Sequence, residues 1–342
     1  MEGTVGELPR VTVVMPVKDE ERYIERSLGA VLAQDYPADL MEVLVADGRS
    51  TDRTRELVER LGRGRDVRLI DNPRGIVAPG LNAAVVEARG EIVVRVDGHC
   101  EIRPDHVRKA VEHLTARSGE IAGVGGPVET VGETPLAQAI AVAMSSRFGV
   151  GGSAFRTGVD EPVFADTVPF PAYPRHVLEE AGPFDEELVR NQDDEYNYRL
   201  RRAGKKLLLA PDLRSRYYSR ADLRSLWRQH FQYGYWKVRV MRKHPRQMRA
   251  RQFAPPLLVA ALVLGAAASP WSRWGLFWLA GVGGLYLIAC VLASVLAARS
   301  VPMRYLPLLP LIFAVLHLGY GSGFVVGLVG LVKPRPRRPT AA

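Results

Sequence analysis

Residues 11–17, Val-Thr-Val-Val-Met-Pro-Val, form a short apolar run rich in β-branched side chains, which predicts a buried strand. The next stretch, 19–34, sets Tyr23, Ile24, Leu28, Val31 and Leu32 at helical spacing. A second apolar run covers 41–47, and 52–62 reads as a helix ending at Gly62. Residues 67–73 predict a third strand, 78–90 a helix closed by Gly90, and 91–97 a fourth strand. Strands alternating with helices across short connections predict an α/β domain, with a parallel sheet covered on both faces.

The pattern changes after residue 250. Segments 254–270, 274–297 and 306–332 are apolar and almost free of charge. About 20 such residues cross the ~30 Å hydrocarbon layer as a helix. The second segment is the clearest span, with Trp274 and Trp278 at one interface and Arg299 past its other end. The first is short and starts at Pro255 and Pro256. The third contains Gly-Tyr-Gly-Ser-Gly at 319–323, a candidate break, so the sequence leaves open whether it crosses once or re-enters. Residues 227–240 mix Trp227, Phe231, Tyr233, Tyr235 and Trp236 with Arg228, Lys237 and Arg239, which predicts an interfacial helix within about 222–250. The expected organisation is an N-terminal domain over 1–236, a transmembrane region over 251–334 and a basic tail over 335–342.

Charge sharpens this division. The net charge of +9 belongs to the C-terminal third: from Lys237 onward there are 14 Lys and Arg and no acid, against 32 basic and 37 acidic residues before it. Basic residues gathered beside apolar runs point to a membrane surface and away from nucleic acid. Seven of them lie in 237–251, which by the positive-inside tendency places the N-terminal domain in the cytoplasm. The first ten residues are polar, without a signal-peptide core. Cys100 and Cys290 lie in unlike surroundings, so no disulfide framework is expected and a reducing compartment fits.

Ligands in parallel sheets bind beyond the carboxyl ends of the strands. Three strand ends here carry polar residues: Pro16–Glu20, Asp47 and Asp97–His99. No G-x-G-x-x-G follows the first strand and there is no Walker loop. Asp97 and His99 flank Gly98, so both can face one point, with Glu101 as a further contact. Oxygen and imidazole donors suit a divalent cation that also binds a diphosphate.

The stretches 13–37, 41–54, 80–102 and 181–204 resemble, in order and spacing, the family 2 glycosyltransferases, over roughly 11–236. The likeness is to membrane-attached enzymes of bacterial exopolysaccharide assembly, of the succinoglycan type. The resemblance implies a Rossmann-like A-type glycosyltransferase domain with a mostly parallel sheet, followed by C-terminal transmembrane helices. It implies an inverting, metal-dependent hexosyl transfer with Mg²⁺ or Mn²⁺. Pro16, Val17, Lys18 and Glu20 then line the nucleotide pocket, Asp47 takes the place of the aspartate that bonds the base, usually uracil, and Asn82 approaches the nucleotide. Asp97 begins the D-x-D motif, with His99 where its second acid stands, so Asp97, His99 and Glu101 become the metal candidates. Alignment on Arg199–Leu200 puts Asp193 at the catalytic base, or Asp194 if displaced by one, and Gln192 where a glutamate is usual. Clustered carboxylates at Asp193, Asp194 and Glu195 raise one another's pKa, which suits a proton acceptor. Asp166 and Tyr173 fall in the segment that shapes the acceptor pocket.

The expected partners are a nucleotide-sugar donor, a UDP-sugar first, a lipid-linked saccharide acceptor and membrane lipids, at a bacterial-type inner membrane in a multi-pass arrangement. Other polysaccharide-assembly proteins are further candidate partners. Gln229 is followed by His-Phe-Gln-Tyr-Gly-Tyr-Trp, which does not match the Q-x-x-R-W of processive synthases. A polyprenyl-phosphate glycosyltransferase is the near alternative, and a non-catalytic nucleotide-binding membrane scaffold is the alternative of another class.

Overall fold

A computed structural model describes residues 7–298 and 305–332. The chain packs as two compact units, Met1–Val131 with Gly152–Tyr218, and Gly132–Gly151 with Ser219–Ala342.

The first unit opens with β1 (Val11–Val17), α1 (Ile24–Leu32), β2 (Met41–Asp47), α2 (Thr54–Leu61), β3 (Val67–Asp71), α3 (Val77–Glu87) and β4 (Ile92–Arg95). It continues through β5 (Cys100–Ile102), α4 (His106–Ala116), β6 (Ile121–Gly125) and β7 (Val128–Val131). The chain then forms α5 (Pro135–Ser145) and α6 (Arg147–Val150) in the second unit. It returns to the first unit with α7 (Ala154–Thr157), β8 (Val163–Phe164), β9 (Ala172–Pro174), α8 (Arg175–Ala181), α9 (Gln192–Arg202), β10 (Lys206–Leu209) and β11 (Ser215–Tyr218).

The main sheet has the order β3-β2-β1-β4-β9-β6-β10-β8, and β5-β11-β7 form a smaller one. β1, β2, β3 and β4 run parallel, as the alternating pattern predicts, and so do β6 and β10. β9 lies antiparallel between β4 and β6 and joins these two parallel groups. Registers Val17↔Asp47 and Asp47↔Asp71 bring three strand ends to one level.

Side chains alternate between the faces of a strand. Val11, Val13, Met15 and Val17 pack with Ile24, Leu28 and Val31 of α1 on one face. Val14, Leu44, Ala46 and Val93 pack with Leu81 of α3 and with Tyr196 and Leu200 of α9 on the other. α1 buries Ile24, Ser27, Leu28 and Val31, the spacing of a single helical stripe, and each buried Leu or Val contributes roughly 1.5–3 kcal/mol. Arg95 shares the face of Val93, so the fold aims it toward the side that α9 covers.

His106 opens α4 at 2% exposure, and its Nδ1 has no partner among the described residues. Burial pulls its pKa down to about 4, against smaller opposing pulls from Asp105 and Asp212. The folded chain therefore holds a neutral imidazole while the unfolded chain protonates near pH 6.5. Its contribution is fully present above that pH and is lost as pH falls toward 4. About 2 kcal/mol of stability is expected to disappear between pH 7 and 5. Thermal melts of the wild type and His106→Leu check this: the variant's melting temperature should fall less steeply over that interval, and parallel slopes contradict it.

The second unit carries α10 (Leu223–Lys243), α11 (Ala254–Ala268), α12 (Arg273–Ala298) and α13 (Leu309–Val332). Among the described residues, three helical stretches are long and apolar enough to cross a membrane: Ala250–Ala268, Arg273–Ala297 and Leu309–Leu331. The glycine run at 319–323 does not interrupt α13. Its glycines serve close packing instead. A Cβ on Gly319 would stand 3.3 Å from the Trp227 carbonyl and one on Gly327 2.9 Å from that of Tyr235, while Gly323 faces the Phe231 carbonyl. Small residues every fourth position let the backbones of α10 and α13 meet. α5 joins the same unit, with Ile140 and Met144 packed among Leu309, Ile312, Phe313 and Leu316. That short apolar helix lies inside the span that the sequence reading assigned to the N-terminal domain.

Candidate active site

The site grows from the carboxyl ends of β1, β2 and β4. All four residues of β4 are buried, and Arg95, its last, is 7% exposed. Arg95 donates from Nε to Asp97 Oδ1 at 2.8 Å and from Nη2 to Asp97 Oδ2 at 3.1 Å. Its Nη1 donates to Asp193 Oδ1. One guanidinium thus brings together two carboxylates far apart in sequence.

Past Asp97 the chain turns sharply, and the Cys100 N–H donates back to the Asp97 carbonyl at 3.0 Å. A side chain at Gly98 would not fit easily, because its Cβ would lie 2.9 Å from Glu20 Cγ and 3.1 Å from Val17 Cγ1. The turn carries His99 back against β1, where Nδ1 and Glu20 Oε1 are 2.7 Å apart. The ring stands edge-on to Tyr217, with centroids 5.1 Å apart. Glu101 leaves this group: its Oε1 accepts from the Tyr218 hydroxyl at 2.7 Å, across the β5–β11 pair.

The loop after β1 is tied to the loop after β2. Asp19 Oδ1 accepts from the Thr51 N–H at 2.8 Å, and the Glu20 N–H donates to Thr54 Oγ1 at 2.8 Å. Asp19 (φ 53°) and Arg49 (φ 60°) are both left-handed, a backbone cost that ordered ligand loops commonly carry. Asp47 is buried with no side-chain exposure. It accepts from Arg55 Nη1 at 2.9 Å, and Arg55 also reaches Asp71 at 3.1 Å. Pro16 and Val17 are buried at the end of β1. The Lys18 ammonium extends over Gly75, 2.9 Å from where a Cβ there would stand.

α9 supplies the acids. Its N-cap, Asn191, is left-handed at φ 64°, and Asp193, Asp194 and Glu195 fill the first turn, where the helix dipole favours negative charge. Glu195 turns inward and pairs with Arg199 at 2.9 Å. Asp193 meets Arg95, with 39% of its side chain exposed. Partial removal from water raises its pKa above the ordinary range, Arg95 pulls it back, and Asp97 pushes it up again. A carboxylate raised in this way, yet open to solvent, can accept a proton and release it.

Besides Glu101, three further predicted site residues are engaged elsewhere. Asn82 fastens α3 to the segment before α9: its Nδ2 donates to the Phe184 carbonyl (3.0 Å) and Glu186 Oε1 (2.9 Å), and its Oδ1 accepts from the Phe184 N–H (2.8 Å). Tyr173 is 4% exposed, and its hydroxyl donates to Asn197 Oδ1 at 2.8 Å, tying β9 to α9. Asp166 pairs with Arg201 at 3.2 Å.

Among the described residues no three His, Cys, Asp or Glu side chains gather as a protein-only metal cage. Asp97 and His99 nevertheless supply a carboxylate and an imidazole, donor types that suit a cation taking its other ligands from a diphosphate. Glu20 holds Nδ1 of the imidazole, the carboxylate-to-histidine support common behind metal-binding imidazoles, so Nε2 is the nitrogen that could take a ligand. Each Asp97 oxygen accepts from Arg95, and a carboxylate has about four lone-pair sites, so further ligation is open.

Sequence reasoning missed Arg95. The signal was present, as the single charge in the apolar run 92–96.

Comparisons with known proteins bear on the fold and the family. The model for "Glycosyl transferase family 2" matches residues 12–180. The succinoglycan biosynthesis protein ExoA of Rhizobium meliloti (strain 1021) is 31% identical over 316 residues, 91% of this chain and 93% of that protein. The dolichyl N-acetyl-alpha-D-glucosaminyl phosphate 3-beta-D-2,3-diacetamido-2,3-dideoxy-beta-D-glucuronosyltransferase of Methanococcus voltae is 28% identical over 240 residues, 68% of this chain and 74% of that one. Among solved structures, the mannosyltransferase PcManGT from Pyrobaculum calidifontis, in complex with GDP-Man and Mn²⁺, superposes with a TM-score of 0.63 at 23% identity. It covers 94% of this chain and 87% of its own, and it shares the A-type glycosyltransferase fold. A sheet of this order, with acids at its strand ends and a full-length relative in polysaccharide synthesis, leads to one assignment: the chain is a glycosyltransferase and belongs to glycosyl transferase family 2.

Proposed function

We propose that the enzyme moves a sugar, with inversion, from a nucleotide-sugar to a hydroxyl of a lipid-linked saccharide during exopolysaccharide or cell-surface glycan assembly. The observation that carries this reading is the meeting of Asp97 and Asp193 on one guanidinium, as expected of one carboxylate that serves the leaving group and one that serves the acceptor proton.

Asp193 takes the proton from the acceptor hydroxyl, a poor nucleophile until it is deprotonated. The acceptor oxygen forms its bond to the anomeric carbon on the face opposite the nucleotide, while the bond from that carbon to the diphosphate oxygen breaks. Asp97 and His99 Nε2 are the residues that would hold Mg²⁺ or Mn²⁺. When bound, the cation offsets the negative charge developing on the departing diphosphate. Glu20 fixes the ring of His99. Pro16, Val17 and Lys18 line the strand ends where the nucleotide binds, and Asp47, enclosed and paired with Arg55, braces the end of β2 there. Asn82 shapes that side by fastening α3 to the segment before α9.

A UDP-sugar is the first donor to test, with GDP-sugars beside it. The seven basic residues in 237–251 support a cytoplasmic catalytic unit at a bacterial-type inner membrane, next to a lipid-borne acceptor. The name of the Methanococcus relative contains a dolichyl-linked sugar phosphate, which favours a lipid-linked saccharide over bare polyprenyl phosphate as acceptor.

The test uses detergent-purified full-length enzyme with Mn²⁺ or Mg²⁺ and a panel of UDP-, GDP- and CMP-sugars. Each donor is offered with a lipid-linked saccharide or with polyprenyl phosphate. The expected outcome is a glycosidic product on the saccharide, with the anomeric configuration of the donor inverted by proton NMR. Product on polyprenyl phosphate alone would move the reading to the alternative acceptor. No turnover of any donor would favour a non-catalytic nucleotide-binding scaffold.

A further inference from the structure

We infer that Arg95 is a positioning residue for transfer: an internal cation that holds Asp97 and Asp193 at a fixed separation and offsets their charge before donor or metal arrives. The inference rests on the roles given above to those two acids.

β4 is otherwise apolar, and an arginine 7% exposed at its end is costly to bury unless its charge is paired and its N–H groups are used. Both conditions hold. Nε and Nη2 grip the two oxygens of Asp97, and Nη1 reaches Asp193, 98 residues further on. A planar fork can address two carboxylates from fixed directions at once, which a lysine ammonium cannot. The strand also fixes the root of the side chain: Arg95 is the last β4 residue in register with β1, opposite Val14, and its own N–H donates to the Pro171 carbonyl at 3.0 Å. The clamp therefore stands on a strand paired on both sides, with β1 and β9, and reaches outward to a turn and a helix end.

Two effects of opposite sign follow. Without the guanidinium, two neighbouring carboxylates lose their counter-charge and attract a divalent cation more strongly. Asp193 at the same time loses the group that aims it, and misplacement by about 1 Å costs on the order of 10²-fold in rate. A general structural defect would weaken both metal binding and transfer.

The experiment uses detergent-purified full-length wild type, Arg95→Met, Arg95→Lys and Asp193→Asn, with folding checked by circular dichroism. Mn²⁺ binding in the presence of one equivalent of nucleoside diphosphate is titrated by the electron paramagnetic resonance signal of free Mn²⁺, against the same nucleotide without enzyme, and kcat is measured at saturating donor and Mn²⁺. For Arg95→Met the Mn²⁺ dissociation constant should fall at least about threefold, while kcat falls about 10²-fold. Arg95→Lys keeps the charge and loses the fork, so its Mn²⁺ affinity should match the wild type and its kcat lie between the two. A folded Arg95→Met with unchanged or weaker Mn²⁺ binding, or with wild-type kcat, overturns the inference. If Arg95→Met does not fold, Arg95→Lys decides: wild-type kcat overturns the inference, and reduced kcat at unchanged Mn²⁺ affinity supports it. Wild-type enzyme that binds no Mn²⁺ removes the inference and the metal assignment together. Normal transfer by Asp193→Asn removes only the proton-acceptor reading, and the Mn²⁺ shift in Arg95→Met still decides whether Arg95 is the counter-ion.

Discussion

Asp193→Asn is expected to transfer sugar about 10²–10⁴-fold more slowly than the wild type, the usual worth of a positioned general base. The substitution keeps the size and planarity of the side chain. The amide oxygen can still accept from Arg95, so the start of α9 should hold its place. Only the capacity to take a proton is removed. The nucleotide is assigned to the ends of β1, β2 and β4, so donor affinity should change by less than about threefold, well under the 1.4 kcal/mol that a tenfold change requires. Isothermal titration with the nucleotide diphosphate and a single-turnover transfer assay separate the two quantities. A parallel loss of binding would assign Asp193 to the donor pocket, and unchanged transfer would remove it as the base. Asp194→Asn is the control for neighbouring position and should retain most of the activity.

Chelation of divalent cations should reduce transfer by a comparable or larger factor, and added Mn²⁺ or Mg²⁺ should restore it. Stabilising a developing diphosphate charge is worth several kcal/mol, and each 1.36 kcal/mol is tenfold in rate. Asp97→Ala removes the carboxylate candidate outright and leaves two prongs of the buried Arg95 fork without an acceptor. Asp97→Asn keeps one oxygen for Arg95 and is the gentler probe. Both should show transfer reduced by about 10²–10⁴-fold at the cation concentration that saturates the wild type, and Asp97→Asn should recover in part when the cation is raised. Turnover with EDTA, followed by back-titration with each cation, measures this. Full activity in EDTA would remove the metal from the mechanism.

The parts of the fold that depend on local pattern were legible in the sequence. β1 and β2 are buried along their whole length, so their runs of Val, Leu and Met announce them. The helical stripe Ile24, Leu28, Val31 is equally plain. β9 was not legible. It has three residues, and its place between β4 and β6 is set by pairing with strands far away in sequence. The glycines of 319–323 read equally well as a helix break or as a close helix contact, and only the presence of α10 alongside decides between these. α5 is short, and its apolar face finds its partner more than 160 residues later in the chain.

The site divides in the same way. Asp97 and His99 stood out because a strand end is marked locally, and Asp193 through the family resemblance aligned on Arg199–Leu200. What each polar side chain does there depends on tertiary partners. Nothing near Glu20 announces that it will grip His99, 79 residues on, and nothing near Asn82 announces Phe184 and Glu186. Tyr173 could face a ligand or the core until Asn197 is placed beside it. Arg95 was visible as a charge in an apolar strand, but its two partners lie on a turn and on a helix that only the folded sheet brings within reach.

Electron spin echo spectroscopy of Mn²⁺ bound together with a nucleoside diphosphate tests whether Asp97 and His99 form one cation site. The spectrum should contain nitrogen modulation from a single imidazole. That modulation should vanish in His99→Ala and survive in Asp193→Asn. Modulation that persists without His99, or none in the wild type, would contradict a cation held at the end of β4.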